Sequence, residues 1–142
     1  MKRDVRLHGL SSDHHNALVL ARTIERAFKA GQANQSLVDM VMREHKASLM
    51  RHFEIEEQLL LPPLAEKGEG DLVSQVLAEH VEMRAFLESA EAGDVNALEK
   101  FGALLFAHVR LEERSLFTKC EEILESEILD RVAVQAPKPS VK

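Results

Sequence analysis

The amino-acid sequence predicts an all-α protein that folds as an up-down-up-down four-helix bundle. Apolar residues recur at intervals of three and four along four long segments, as one face of a helix requires. Gly and Pro are scarce, with 6 and 4 occurrences, whereas residue types that favour helix, such as Leu, Ala and Glu, are abundant. The breaks between the segments are short, and short connections make neighbouring helices antiparallel.

The first two segments have recognisable ends. The first covers about residues 13–30 and stops at Gly31, a residue type common just past a helix C-terminus. Three polar residues are candidate N-caps for it: Ser11, Ser12 and Asp13. The second covers about residues 36–60. We expect Pro62 and Pro63 to stop it, because proline removes a helical hydrogen bond and clashes with the preceding turn.

The third and fourth segments each follow an aspartate. Asp71 is the candidate N-cap of a helix over about residues 71–92, which Gly93 would end. Asp94 is the candidate N-cap of a helix over about residues 94–125. Both predictions depend on the preference of helix N-termini for a short acidic side chain.

The chain has 142 residues, the size of a single domain. We assign residues 1–10 to an N-terminal lead-in and residues 11–126 to the bundle. Residues 127–142 are expected to form a short helical piece, around residues 128–134, and then a loose tail that contains Pro139.

The composition argues against several classes of partner. A net charge of −6 without a basic stripe does not suit nucleic-acid binding. No apolar run approaches the roughly 18 residues of a membrane span, and the N-terminus lacks the apolar core of a signal peptide, so we expect no membrane partner and a cytoplasmic location. The one cysteine, Cys120, cannot form an internal disulfide, and we interpret it as an ordinary residue near a helix end.

Each predicted helix carries a histidine on its apolar face. His14 shares its face with Ala17 and Ala21, whereas the adjacent His15 shares its face with two arginines. We therefore expect His14 to point inward and His15 to be exposed. The same test places three further histidines on apolar faces: His52, His80 and His108.

Two of these histidines are followed one turn later by a glutamate on the same face, Glu56 and Glu112. An unpaired buried carboxylate would be strongly destabilising. A bound cation removes this difficulty, because neutral imidazole and carboxylate are both metal ligands. We therefore interpret six residues as candidate metal ligands: His14, His52, Glu56, His80, His108 and Glu112.

Each signal is weak when it stands alone. A lone histidine on an apolar face is more often a hydrogen-bonded core residue than a ligand, and about one His-x-x-x-Glu pair is expected from this composition. The joint pattern favours a metal site, because all four predicted helices carry an inward histidine. A helical interaction module without metal is the alternative.

The number of candidate ligands predicts two ions rather than one. Four histidines and two glutamates are too many for one tetrahedral zinc site. They suit two ions bridged by both carboxylates and by a solvent-derived oxo or hydroxo group. Mixed imidazole and carboxylate ligation favours iron, and manganese or zinc less strongly. The Glu-x-x-His motif of ferritin-like bundles and the His-Glu-x-x-His motif of zincins are both absent.

An approximate internal repeat supports this interpretation. The segments HFEIEEQLLLP and HVRLEERSLF share the pattern His-x-x-(Ile/Leu)-Glu-Glu-x-x-Leu. Two helical hairpins related by a pseudo-twofold axis would place the site between them. Glu57 and Glu113, which follow the inward acids, are turned by about 100°, so we expect them behind the ligands or on the solvated surface.

Taken in order, the motifs resemble those of the hemerythrin, or HHE cation-binding, family. The matching pieces extend from about Ser11 to Phe117 and are SSDHHNAL, HFEIEEQLLLP, AEHVEM and HVRLEERSLF. The resemblance implies the same six metal ligands and a di-iron centre.

The chain departs from the oxygen-carrying members that it resembles. They have a second histidine four residues after the third-helix histidine, where this chain has Arg84, and an aspartate where it has Glu113. The resulting four-His, two-Glu set is similar to that of bacterial members implicated in repair of iron centres and in nitric-oxide stress. His45 shares a face with His52, but at about 10 Å along the axis it is too far to bind the same ion.

These features favour a binding or sensing protein over an enzyme. The predicted ligands are dioxygen, nitric oxide or hydrogen peroxide, bound where the protein leaves a metal position open. One alternative is a di-iron enzyme with peroxidase-like or nitric-oxide-detoxifying activity, served by a redox partner protein. Another is an iron donor for the repair of iron centres. The sequence leaves the physiological ligand and the oligomeric state open.

Overall fold

The computed structural model of the protein describes residues 3–137, which are helical almost throughout. A short 3-10 turn, Val5–Leu7, leads into five helices in this part of the chain, and no strand occurs between residues 3 and 137. The helices are α1 (His8–Lys29), α2 (residues 35–66), α3 (Gly70–Glu91), α4 (residues 97–123) and α5 (Ser126–Gln135). The all-α prediction is confirmed.

Helix α1 begins earlier than the sequence predicts. The side chain of Asp4 accepts a hydrogen bond from the backbone N–H of Arg6 at 2.8 Å, which starts the 3-10 turn ahead of α1. The predicted N-caps therefore lie inside the helix and do not cap it: Ser11, Ser12 and Asp13. The reason is burial, since Leu7 and Leu10 precede the predicted start and are fully buried. Gly31, with a φ of 68°, follows the end of α1 as predicted.

Helix α2 continues through Pro62 and Pro63, so the prediction that these residues end it is wrong. The helix contains two π-helical turns, His45–Leu49 and Glu56–Leu60. After the second of them a new α-helical stretch begins at Leu61, and the prolines occupy its first positions. Proline is tolerated at the first positions of a helical stretch, because no N–H there is bonded within that stretch and the fixed φ of proline suits a helix.

The aspartates that predict the starts of α3 and α4 do not cap these helices. Helix α3 begins at Gly70, which places Asp71 inside the first turn, where its charge suits the positive end of the helix dipole. Helix α4 begins at Ala97, whose N–H donates to the backbone carbonyl of Asp94 at 3.1 Å. Backbone turns rather than side-chain caps therefore set both starts. Gly93, with a φ of 119°, follows the end of α3 as predicted.

The buried apolar residues form two clusters, and each long helix contributes to both. The Phe101 cluster includes Ala17, Leu49, Met83 and Leu105. The Phe117 cluster includes Leu10, Leu60, Val76 and Leu116. Along α1 and α3 the chain passes from the Phe117 cluster to the Phe101 cluster, and along α2 and α4 it passes the other way. Each long helix therefore crosses the region between the clusters, and polar residues are buried there.

Helix α5 covers residues 128–134, where the sequence predicts a short helical piece. Its Leu129 and Val132 join the Phe117 cluster together with Leu7, so α5 packs on the same core. The division of the chain at residues 10 and 126 stays a prediction, and Pro139 in the predicted tail lies outside the described residues. None of the helices between residues 3 and 137 combines the length and hydropathy that crossing a bilayer demands.

Gly9 allows the end of α5 to approach α1 closely. A Cβ atom at position 9 would overlap the carbonyl oxygen of Ala136 and lie 2.9 Å from that of Pro137. Both are backbone atoms, which cannot swing aside as a flexible side chain can. A side chain at position 9 would therefore push the C-terminal segment away from α1.

We expect Gly9→Ala to lower the free energy of unfolding by about 1–3 kcal/mol, because overpacking forces backbone shifts of this cost. Chemical denaturation followed by circular dichroism measures the change. Gly70→Ala is the matched control, since position 70 is also helical but has nothing within 4 Å of an added methyl group. Equal stability of the two variants would contradict the close approach at Gly9.

Candidate metal centre

Each long helix places one histidine in the region between the two apolar clusters. At most 3% of the surface of each of these histidines is exposed. They are His14 on α1, His52 on α2, His80 on α3 and His108 on α4. His15, next to the α1 histidine, is exposed, in agreement with the predicted orientation of this helix. Glu56 and Glu112 are fully buried among the histidines.

The two buried glutamates are shared between two pairs of histidines. One group contains His14 and His52, the other contains His80 and His108, and both glutamates belong to both groups. Within each group, one candidate ligand atom from every residue lies within 4.8 Å of the others. The structure therefore brings together all six residues that the sequence singles out.

Each glutamate directs one oxygen to each histidine pair. Glu56 Oε2 is 3.0 Å from His52 Nε2, and its Oε1 is 3.1 Å from His80 Nε2. Glu112 repeats the arrangement, with Oε1 2.7 Å from the α1 histidine and Oε2 3.1 Å from the α4 histidine. Each of the two carboxylates therefore faces both histidine pairs, with one oxygen directed to each pair.

Several buried polar atoms of this cluster have no hydrogen-bond partner among residues 3–137. They are both carboxylate oxygens of Glu56, Oε2 of Glu112, and the Nε2 atoms of His80 and His108. An unsatisfied buried polar group costs about 1–3 kcal/mol, and a charged one costs more. A cation would satisfy these atoms together, because imidazole nitrogen and carboxylate oxygen both bind transition metals. The residues present therefore fit the metal ions that the sequence predicts.

The electrostatics of the cluster also favour a cation. Burial opposes protonation of His80, yet the neighbouring carboxylates of Glu112 and Glu56 raise its pKa to about 9. Burial alone would raise the pKa of Glu112, but the imidazole of His108 and those of the α1 and α2 histidines hold it well below its usual range. The cluster therefore attracts positive charge, whether as protons on the imidazoles or as metal ions.

Each of the four histidines has a carboxylate within hydrogen-bond distance of its Nδ1 atom, on the side of the ring away from the cluster. In each case the imidazole Nδ1–H donates to a carboxylate of another long helix, which leaves Nε2 to face the cluster. The pairs are His14–Glu113 (2.5 Å), His52–Asp13 (3.0 Å), His80–Glu57 (2.6 Å) and His108–Glu79 (2.7 Å). Each long helix contributes one of these carboxylates, and its own histidine bonds a carboxylate of another long helix. The four pairs therefore form a closed ring of hydrogen bonds through all four helices.

Sequence reasoning found two of these carboxylates and missed the other two. The internal repeat predicts Glu57 and Glu113 behind the ligands or on the surface, and both lie behind histidines. Asp13 and Glu79 were not predicted to take part. Each of them immediately precedes an inward histidine in the sequence, and this recurrence is the signal that could have identified them.

Two π-helical turns begin at the shared glutamates, and the sequence does not predict them. They are Glu56–Leu60 in α2 and Glu112–Leu116 in α4. A π-helical turn inserts one residue into a helix and is frequent at functional sites. The insertion changes which residues of α2 and α4 face the core beyond each glutamate.

Three residues whose roles the sequence leaves open lie outside both groups. Arg84 forms an ion pair with Glu57 at 2.9 Å. His45 is buried in the first π-helical turn of α2. Cys120 is buried, and burial raises the pKa of its thiol, so it is an unreactive core residue.

The four longest helices of the fold bury a His–Glu cluster that they share. This arrangement defines a class of helical proteins that can hold metal ions between helices. The chain matches the hemerythrin HHE cation binding domain family over residues 5–120. It belongs to this family, which confirms the resemblance predicted from its motifs. Neither the curated proteins nor the solved structures include a match to the chain.

Proposed function

We propose that the protein holds two ions in its core on six ligands: His14, His52, Glu56, His80, His108 and Glu112. The observation that carries this proposal is the division of each glutamate's two oxygens between the two histidine pairs. Each pair would bind one ion, and both carboxylates would be shared. The match to a cation-binding family adds support.

Iron is the metal that we propose, on the chemistry of the donors. Four imidazoles and two carboxylates form a mixed nitrogen and oxygen set, which suits iron. The described residues add no thiolate to either group, since Cys120 belongs to neither. Manganese and zinc accept the same donors, so the test must identify the metal.

We also propose that the four long helices run alternately up and down, as the sequence predicts. The support is the order in which each helix meets the two apolar clusters. Helices α1 and α3 reach the Phe117 cluster first, whereas α2 and α4 reach the Phe101 cluster first.

The ions would bind or sense a small ligand such as dioxygen, nitric oxide or peroxide. Two imidazoles and two shared carboxylates supply fewer ligands than an octahedral ion accepts, so room remains for an external ligand. In the oxygen-carrying proteins that the chain resembles, the position of Arg84 holds a further histidine, whereas here its guanidinium pairs with Glu57. The burial of all six residues favours retention of the ions over donation of iron.

Elemental analysis of the purified protein, expressed with ample iron, tests the metal proposal. We expect two irons per chain in the wild type and in His15→Ala, because His15 is exposed. We expect His14→Ala to lose iron, because it removes a buried imidazole from one group. Another metal in the wild type would contradict iron, and full iron content in His14→Ala would contradict the ligand set.

Anaerobic reduction followed by addition of dioxygen or nitric oxide tests the small-ligand proposal. A change in the visible spectrum that saturates at one equivalent per site supports binding or sensing. Continued consumption beyond one equivalent would favour the enzyme alternative. An unchanged spectrum with both gases would count against a gas ligand.

A further inference from the structure

Arg84 supports His80 from outside the cluster in two ways. Its Nη1 and Nη2 atoms donate to Glu57 Oε2 and Oε1 at 2.9 and 3.2 Å, and the same Oε2 accepts the Nδ1–H of His80 at 2.6 Å. Its guanidinium also lies 5.6 Å from the centroid of the Phe53 ring, which stacks on the His80 imidazole at 4.2 Å. One arginine therefore holds both the carboxylate and the aromatic ring that contact this histidine.

Arg3 makes a corresponding set of contacts around His14. Its Nη2 atom lies 3.6 Å from Glu113 Oε1 and donates to the Glu113 backbone carbonyl at 2.7 Å. Glu113 in turn accepts the Nδ1–H of His14 at 2.5 Å. The Arg3 guanidinium lies 5.6 Å from the centroid of the Phe117 ring, which stacks on the His14 imidazole at 4.9 Å. In each histidine pair, one histidine therefore contacts a carboxylate and an aromatic ring that both lie next to an arginine.

The two arginines come from unrelated parts of the chain. Arg84 is on α3, whereas Arg3 precedes the first helical turn and is held by an ion pair with Glu121 at 3.0 Å. The internal repeat of α2 and α4 predicts neither. Their side chains are 36% and 20% exposed, so both lie at the edge of the core and keep some contact with solvent. At both histidine pairs a guanidinium lies near the carboxylate and the aromatic ring that contact one histidine, which points to a role in the site.

We infer that Arg84 and Arg3 are positioning residues, each of which orients a histidine ligand of one of the two ions. This inference rests on the proposed function. Arg84 acts on the ion of the pair that contains His80, and Arg3 on the ion of the pair that contains His14. A carboxylate fixed by a guanidinium keeps the imidazole Nδ1–H in place and so keeps Nε2 aimed at the ion. Substitution of either arginine should therefore weaken the binding of one ion and not the other, although all six ligands remain.

Release of ferrous iron to a chelator under anaerobic conditions tests this inference on the full chain. We expect Arg84→Gln to release one of two irons up to about 10-fold faster than the wild type, the low end of the effect of losing a ligand's direct partner, because Arg84 acts through Glu57. The other iron should leave at the wild-type rate. Arg3→Gln should do the same with a smaller factor, because its ion pair is longer and Ser11 also donates to Glu113, at 2.9 Å. Arg84→Lys keeps the charge without the two-point contact and should give an intermediate rate.

Arg110→Gln is the matched control, because Arg110 lies 5.6 Å from the centroid of the Phe106 ring, the same distance as in the other two pairs. Within residues 3–137, Arg110 contacts none of the four carboxylates behind the histidines, so wild-type release is expected. In zinc-loaded protein, solvent exchange of the imidazole Nδ1–H followed by NMR identifies the affected histidine. Arg84→Gln should speed exchange at His80 and leave His14 unchanged, which a general loss of stability would not do.

Two results would overturn the inference while leaving the di-iron proposal intact. One is equal acceleration of both irons by Arg84→Gln, and the other is a release rate that matches Arg110→Gln. Wild-type protein that binds no metal would overturn the proposed function and this inference together.

Discussion

Glu112→Gln is expected to remove both ions from the protein rather than one. The side chain is fully buried and directs one oxygen to each histidine pair, at 2.7 and 3.1 Å. Glutamine has the same shape as glutamate but no charge. It also places an NH2 group at one of the two histidine pairs, where the ion needs an oxygen ligand. Iron content after dialysis against a chelator should fall from two per chain to near zero, and Glu56→Gln should behave in the same way.

Two neighbouring substitutions serve as controls. Glu54→Gln changes an exposed side chain on the same helix as Glu56 and should keep both irons. Glu57→Gln changes the carboxylate behind a single histidine, His80, together with its contact to Arg84, so it should weaken one ion before the other. If Glu112→Gln keeps one iron at full affinity, the carboxylate is not shared and the two-ion arrangement is wrong.

Metal loading is expected to raise the midpoint of thermal unfolding by more than about 10 °C. The candidate ligands come from four helices and meet only in the folded chain, so the ions should bind the native state selectively. An ion at 1,000 times its dissociation constant adds about 4 kcal/mol, or about 8 kcal/mol for two. Each kcal/mol raises the midpoint by roughly 2–4 °C for a chain near 150 residues. Calorimetry of metal-free protein, with and without ferrous iron under anaerobic conditions, measures the rise.

The control for this experiment is Glu112→Gln, for which little or no rise is expected. A wild-type midpoint that does not move when iron is added would favour the helical module without metal. In that case protons on the imidazoles would balance the buried carboxylates, as the raised pKa of His80, about 9, allows.

The six residues of the cluster could be found from local patterns because helical geometry sets side-chain direction within one segment. His14 and His15 illustrate this, since adjacent residues on a helix point about 100° apart, and here one is buried and the other exposed. Glu56 and Glu112 were found in the same way, one turn after an inward histidine.

The carboxylates behind the histidines could not be assigned from local patterns. Each of these hydrogen bonds joins two helices, so the partner depends on how the helices pack. Asp13 precedes His14 in the sequence but contacts His52 on α2, at 3.0 Å. The supporting role of Arg3 depends in the same way on its approach to α4, where Glu121 holds it.

The sequence was therefore sufficient for the helical class, the four long helices and the inward residues, all of which follow from periodicity along one segment. The packing of distant segments decided the helix boundaries and the hydrogen bonds between helices. Helix α1 starts at His8 although the best capping residues come later, and α2 passes through Pro62 and Pro63. The physical reason is that burial and hydrogen bonds between distant segments outweigh the local capping and helix-breaking preferences that a sequence displays.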